Sequence, residues 1–216
     1  MTDRVVVIGA SGFGRESLDV LEAMIESGTQ LEILGVVDDA ISDVDRQRLA
    51  DRGVPFLGTR EEWLGTQPGP VSYVLGIGSP VVRRRLVGEL DAAGLRPFTA
   101  VHPSATFGAS TTLAEGVVVC AGAAISNNVR LGRHVHVNPN ATIGHDADLR
   151  DFVSINPAAV ISGVVVVGEE TLVGAAATVL QQLTVGERVV VGAGAVVTKD
   201  VPSDVVVKGV PGRWEG

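Results

Sequence analysis

From Val101 to Val197 an aliphatic residue or phenylalanine returns at every sixth position, through Phe107, Leu113, Val119, Ile125, Leu131, Val137, Ile143, Leu149, Ile155 and Ile161. Four residues after each stands Ala, Val, Thr or Leu, from Ala105 to Val201. A helix repeats about every 3.6 residues and a half-buried strand every second residue, so neither explains a period of six. Six residues suit one flat side of a prism, made of a short extended piece and a corner. Three sides close a coil of eighteen residues, and coils stack at the strand spacing of about 4.8 Å. The large residue points inward and rests on its counterpart one coil away, while the small one fits near a corner. This is the hexapeptide repeat of a parallel β-helix. Glycine follows the large residue at Gly108, Gly132, Gly144, Gly168, Gly174, Gly186 and Gly192. It is expected to turn the chain there by adopting positive φ.

The first hundred residues keep a different rhythm. Val5–Ile8, Leu31–Val37 and Val71–Ile77 read as buried strands. Arg15–Ser27, with Leu18, Leu21 and Ile25 on its apolar face, and Val81–Ala93 read as helices. Their alternation predicts a small parallel α/β sheet. Gly9, Gly12 and Gly14 separate the first strand from the first helix in the order G-x-x-G-x-G. That is not the dinucleotide fingerprint, yet it still offers backbone N–H groups to an anion at a helix N-terminus. Ligands of parallel sheets bind at the carboxyl ends of the strands. Here those ends hold Ser11, Gly12 and Phe13, then Asp38 and Asp39, then Gly78 and Ser79. They predict a nucleotide or nucleotide-sugar site; a tight turn that binds nothing is the other reading. The run Arg83–Arg85 is expected to be a solvated helix face rather than a ligand clamp. Pro97 and Pro103 punctuate a junction, which divides the chain into 1–97, 98–202 and a tail, 203–216.

Composition narrows the function. A formal charge of −8 argues against non-specific nucleic-acid binding. The single cysteine, Cys120, excludes an intramolecular disulfide framework and is expected to face outward or sit at a corner without a role. The N-terminal residues read as the start of a strand rather than a signal peptide. No apolar run reaches the roughly 18 residues of a membrane span, so a cytoplasmic protein is expected.

Four histidines occur: His102, His134, His136 and His145. His145 takes the third place in its hexad, Ile143-Gly-His-Asp-Ala-Asp148, and so should face outward at a corner. Asp146 beside it would orient the ring and favour its protonated form. A solvated corner histidine fits the same spacing. His134 and His136 occupy other off-core places, so the three do not share one rail and no metal site is expected. His102, beside Pro103, reads as a junction residue.

GASGFGRE after the first strand, Asp38-Asp39 after the second, the hexad region and the ending GAGAVVTKDVPSDVVVKGVPGR resemble bacterial sugar acetyltransferases. The similarity is to the sialic acid O-acetyltransferase and UDP-4-amino-sugar acetyltransferase types of the hexapeptide-repeat superfamily, and it covers nearly the whole chain. It implies a Rossmann-like α/β domain followed by an all-β left-handed parallel β-helix, although crossovers are usually right-handed. It also implies direct acetyl transfer from acetyl-CoA to the amine or hydroxyl of a nucleotide-activated sugar, in a homotrimer with sites between subunits. The stretch from His145 to Ser154 is similar to the family segment that bears the catalytic histidine. The resemblance then implies His145 as general base, Asp146 as its partner, the Gly163 N–H as oxyanion donor and Asn138 as a residue that positions the acceptor. It assigns CoA to Ser154, Gly174, Ala175, Gly192 and Ala193, with Lys199 and the tail from Lys208 to Arg213 near the adenine and phosphates. It assigns the nucleotide sugar to Ser11, Gly12, Phe13, Asp38, Asp39 and Ser79. Ser154 stands where many members carry a second histidine, Arg150 where glycine is usual, and Phe13 where some relatives with UDP-sugar acceptors have histidine. An amino-acid-type acyltransferase on the same prism, or a non-catalytic nucleotide-sugar-binding protein, remain open alternatives.

Overall fold

The computed structural model of the chain describes residues 2–66 and 69–215. The chain divides into two compact units, Met1–Ala100 and Val101–Gly216.

The first unit runs β1 (Asp3–Ile8), α1 (Gly12–Glu26), β2 (Leu31–Val37), α2 (Asp43–Asp51), α3 (Arg60–Gly65), β3 (Ser72–Leu75), α4 (Pro80–Ala92) and β4 (Arg96–Pro97). The sheet is parallel, in the order β2-β1-β3-β4. Val5, Val6 and Val7 are fully buried, as a strand covered on both faces requires. Helices α2 and α3 carry no apolar stripe, since each buries a single side chain, Leu49 or Trp63. Their signal is at the ends instead. The Ser42 hydroxyl accepts from Asp45 N at 3.1 Å, and Thr59 and Glu62 cap each other reciprocally.

The arginine run is not a uniformly solvated face. Arg84 and Arg85 are exposed, but Arg83 is fully buried. It lies on the same side of α4 as Leu86 and Leu90, three and seven residues on. One guanidinium nitrogen donates to the carbonyls of Ile77 (3.1 Å) and Gly78 (3.0 Å), and burial lowers its pKa.

The second unit is a three-faced column of stacked coils. The first face has seven strands, including His136–Val137 and Ser154–Ile155; the second has six, including Thr142–Ile143 and Val160–Ile161; the third has five, including Arg130–Leu131 and Asp148–Leu149. Pairing is parallel, each strand meeting the one eighteen residues on: Thr142 opposite Val160, Arg130 opposite Asp148, His136 opposite Ser154. The last coil is shorter, and Val190 pairs with Val206. Ile143, Leu149, Ile155 and Ile161 fill the interior and are fully buried. At the start of the column Val101 and Leu113 are only partly buried, and Phe107 is 39% exposed. Its strand ends the second face, so a stacked coil covers it on one side only.

The corners depart from the expected geometry. Positive φ falls at the fourth hexad position, on residues such as Asn128 (58°), Asp146 (59°) and Val164 (61°), and none of the glycines that follow the large residue adopts it. Those glycines serve close stacking. A Cβ on Gly108 would lie 2.4 Å from Asn127 N, and one on Gly144 would lie 2.6 Å from Gly163 N. Cys120 is buried, not outward; it follows the buried strand Val118–Val119 and lies one coil before Asn138, which is buried as well. No helix among the described residues is long and apolar enough to cross a membrane.

Candidate active site

The third and fourth positions of each hexad build the three edges of the column. The edge between the second and third faces carries Asn127-Asn128, then His145-Asp146, then Gly163-Val164, one coil apart. Asp146 turns the corner in the left-handed region, which a short polar side chain tolerates better than most. Its carboxylate is held from two sides. Oδ2 lies 2.6 Å from His145 Nδ1, and Oδ1 accepts from Asn128 Nδ2 at 3.0 Å. These hydrogen bonds, that of His145 foremost, hold the Asp146 pKa below the ordinary carboxylate value. An ionised carboxylate can only accept, so Nδ1 carries the hydrogen and Nε2 the lone pair. The His145 side chain is 58% exposed and points outward.

Nε2 lies against the next coil, where a Cβ on Gly163 would fall 2.5 Å from it. Among the described residues no hydrogen bond engages the Gly163 N–H, while its carbonyl accepts from Gln182 N at 2.9 Å. A proton acceptor and an uncommitted donor therefore stand together on one edge. Val164 adds exposed apolar surface beside them.

The other expected residues do not gather around His145 within one chain. Asn138 and Ser154 belong to the first face, which lies opposite the His145 edge in a three-sided coil. Both are buried, and Asn138 Nδ2 donates to the Ile155 carbonyl at 3.0 Å. His136 lies in register beside Ser154 and is also buried. His134 is buried at another edge, its ring stacked 5.4 Å from Phe152. Among the described residues no group of three His, Cys, Asp or Glu side chains is placed to hold a metal ion. Gly174, Ala175, Gly192 and Ala193 follow the edge between the first and second faces. A Cβ on Gly174 would lie 2.6 Å from Ala193 N, so this glycine serves coil contact rather than ligand approach. In the tail, Lys208 and Arg213 exchange backbone hydrogen bonds of 2.9 Å and help line a hollow of about 460 Å³. Lys199 Nζ stands 4.7 Å from the centre of the Trp214 ring.

In the first unit the glycines divide by purpose. A Cβ on Gly14 would lie 1.9 Å from the Gly9 carbonyl oxygen, and one on Gly76 would lie 2.5 Å from Gly14 Cα. These residues let three backbone segments interlock. Gly12 and Gly78 face open space, with no atom within 4 Å of a built Cβ. Ser11 and Ser79 are the N-caps of α1 and α4, and neither hydroxyl caps its own helix. Both hydroxyls thus stand at helix N-termini, where an anion is favoured. Phe13 lies in the first turn of α1, its carbonyl accepting from Ser17 Oγ at 2.8 Å. Asp38 braces the glycine turn, its two oxygens accepting from Ala10 N (2.7 Å) and Ala40 N (2.8 Å). Asp39 borders a cleft of about 150 Å³ together with Arg60 and Arg85. Burial alone would raise the Asp39 pKa, but hydrogen bonds from Arg60 N and Nε outweigh it and bring the net value down.

A family model described as the PglD N-terminal domain matches residues 4–90, and one described as the hexapeptide repeat of succinyl-transferase matches residues 164–199. The perosamine N-acetyltransferase of Caulobacter crescentus, solved as a histidine-to-asparagine mutant with CoA and GDP-perosamine, is 30% identical with a TM-score of 0.86, over 100% of this chain and 98% of that one. The acetyltransferase domain of PglB from Neisseria gonorrhoeae, solved with acetyl coenzyme A, is 32% identical with a TM-score of 0.87, over 100% of both chains. This chain belongs to the PglD-type sugar acetyltransferases. WeeI from Acinetobacter baumannii shares the fold at 25% identity and a TM-score of 0.86, over 99% of this chain and 100% of that one. No curated protein sequence matches significantly. The column is the left-handed parallel β-helix of the hexapeptide superfamily. Two features of this PglD-type chain escape its motifs. Asn128 is found only by stepping back one coil from Asp146 to the same hexad position. Arg60 and Arg85 reach their cleft from helices whose sequences carry no ligand signature.

Proposed function

We propose that the chain transfers acetyl from acetyl-CoA to the amine of a nucleotide-linked amino sugar, with His145 as general base. The observation that carries this reading is the Nδ1–Asp146 contact of 2.6 Å, which leaves Nε2 free beside Gly163. His145 Nε2 takes the proton of the acceptor amine as its nitrogen attacks the thioester carbonyl. Asp146 fixes the tautomer and stabilises the imidazolium, and Asn128 fixes Asp146. The Gly163 N–H donates to the oxyanion. As the C–S bond breaks, the imidazolium returns its proton to the leaving thiolate, so the products are the amide and free CoA.

A homotrimer completes the site. Asn138 and Ser154 lie on the face opposite His145, and Ala175 and Ala193 on another edge, so a second copy must bring them to His145 if they take part. In that arrangement Asn138 positions the acceptor, and Ser154, Gly192, Ala193 and Lys208 border the CoA. Ser11, Gly12, Phe13, Asp39 and Ser79 take the nucleotide, with Asp38 bracing the turn. The reaction is placed in the cytoplasm, where Cys120 stays reduced.

Purified protein given acetyl-CoA with GDP-, UDP- or dTDP-linked amino sugars is expected to release thiol with at least one. Thiol release with none removes the catalytic reading in favour of a sugar-nucleotide-binding protein. The glycine turn gives a second test. Gly12→Ala is expected to keep the wild-type melting temperature and raise KM for the nucleotide sugar by about tenfold, the scale of one lost close approach. Gly14→Ala, which meets the Gly9 carbonyl, is expected to lose about 1–3 kcal/mol of stability in denaturant unfolding.

A further inference from the structure

The cleft beside Asp39 bears on which nucleotide enters. Its walls are apolar, with Ile8, Ile77, Val82 and Leu86, and its polar groups include Asp39, Arg60 and Arg85. At about 150 Å³ it equals roughly five waters of bulk liquid, the scale of one ring system rather than of a whole sugar nucleotide. An apolar slot with a few convergent polar groups suits a planar heterocycle.

Asp39 is fixed as an acceptor. Arg60 donates to its Oδ1 from the backbone N (2.8 Å) and to its Oδ2 from Nε (2.7 Å), and pairs with Glu89 through its other arm. Each carboxylate oxygen can accept a second hydrogen bond, and 47% of the side chain is exposed. Arg85 is the complement. It borders the same cleft and adds its charge to the field on Asp39, and among the described residues no hydrogen bond or ion pair engages its guanidinium. It can only donate. Asp38 offers less, because it is less exposed than Asp39 and its oxygens hold the Ala10 and Ala40 N–H groups of the turn.

We propose that this cleft reads the lactam edge of a nucleobase, an N–H beside a C=O, with Asp39 accepting from the N–H and Arg85 donating to the carbonyl oxygen. Guanine, uracil and thymine present that edge. Adenine and cytosine present an amino group in place of the carbonyl, which meets Arg85 donor to donor. They present a bare ring nitrogen in place of the N–H, which meets Asp39 acceptor to acceptor. Discrimination therefore comes from mismatch as well as match. Arg60 is a positioning residue that keeps the carboxylate turned to the cleft. The proposal rests on the reading that the first unit binds the nucleotide part of the substrate.

The test is calorimetric titration of the full chain with GDP, UDP, dTDP, ADP and CDP. At least one lactam nucleotide is expected to bind, with ADP and CDP weaker than the best of them by about tenfold or more. The order of GDP against UDP and dTDP tells which base is the natural one. Asp39→Asn and Arg85→Ala, each melting as wild type, are expected to shrink that gap to about threefold or less. Arg85→Ala is the safer variant for folding, since Arg85 is exposed. ADP or CDP binding as well as the best lactam nucleotide overturns the lactam assignment and leaves nucleotide binding standing. A gap unchanged in both variants also overturns it. Binding by none of the five overturns both.

Discussion

Replacing His145 by alanine is expected to lower kcat for acetyl transfer by about 10²–10⁴-fold, the usual contribution of a positioned general base. KM for acetyl-CoA should change little, because the ring's role lies in proton transfer rather than in holding the long thin thioester. The variant should fold as wild type. The His145 side chain is 58% exposed and fills no core space. Thiol release at saturating substrates measures the loss, and unchanged turnover would remove the imidazole from the mechanism. Asp146 sets the pH range of the pairing: its folded pKa is depressed, so the pairing contributes above the ordinary carboxylate range and is lost only as pH falls through the lowered value.

The edge that carries His145 was legible in the sequence because a six-residue period with three faces fixes direction. Ile143 must point inward, so His145, two residues on, stands at the corner, and both lie where the spacing puts them. The same arithmetic set the interior of the column. It failed where neighbours, not periods, decide. Glycine after the large residue suggested a turn, whereas a Cβ there would strike the next coil; the turn itself is made by side chains such as Asp146 and Val164. Phe107 obeys the period yet stays partly exposed, because its strand ends a face. Arg83 looked solvated because charge was weighed above its helical spacing from Leu86 and Leu90. Helices α2 and α3 escaped because each buries one side chain and is specified by its cap. The ties of Asp39 to Arg60 and of Asp146 to Asn128 span 21 and 18 residues. Nothing in a linear reading of charges pairs them.

Two inactive variants are expected to restore each other, and this follows from the column's triangular section. His145 stands on one edge, Ala193 on another, and both are exposed. If acetyl-CoA lies between copies, His145 comes from one and Ala193 from the next. His145→Ala removes the base. Ala193→Trp places a bulky ring where the pantetheine would pass, without entering the column. Each variant alone should lose about 100-fold or more in kcat/KM. Co-expressed in equal amounts, they assemble at random into mixed rings. A site then works when one copy supplies an intact His145 and its neighbour an intact Ala193, which happens in about a quarter of the interfaces of a cyclic trimer. The co-expressed mixture should therefore recover about a quarter of wild-type turnover, while the same variants mixed after separate purification should recover none until their subunits exchange. A site complete within one chain predicts no recovery in either case, since every copy carries one lesion. Sedimentation of the wild type checks the assembly independently: a monomer at assay concentration with full activity would place the whole reaction on one column and end the shared-site scheme.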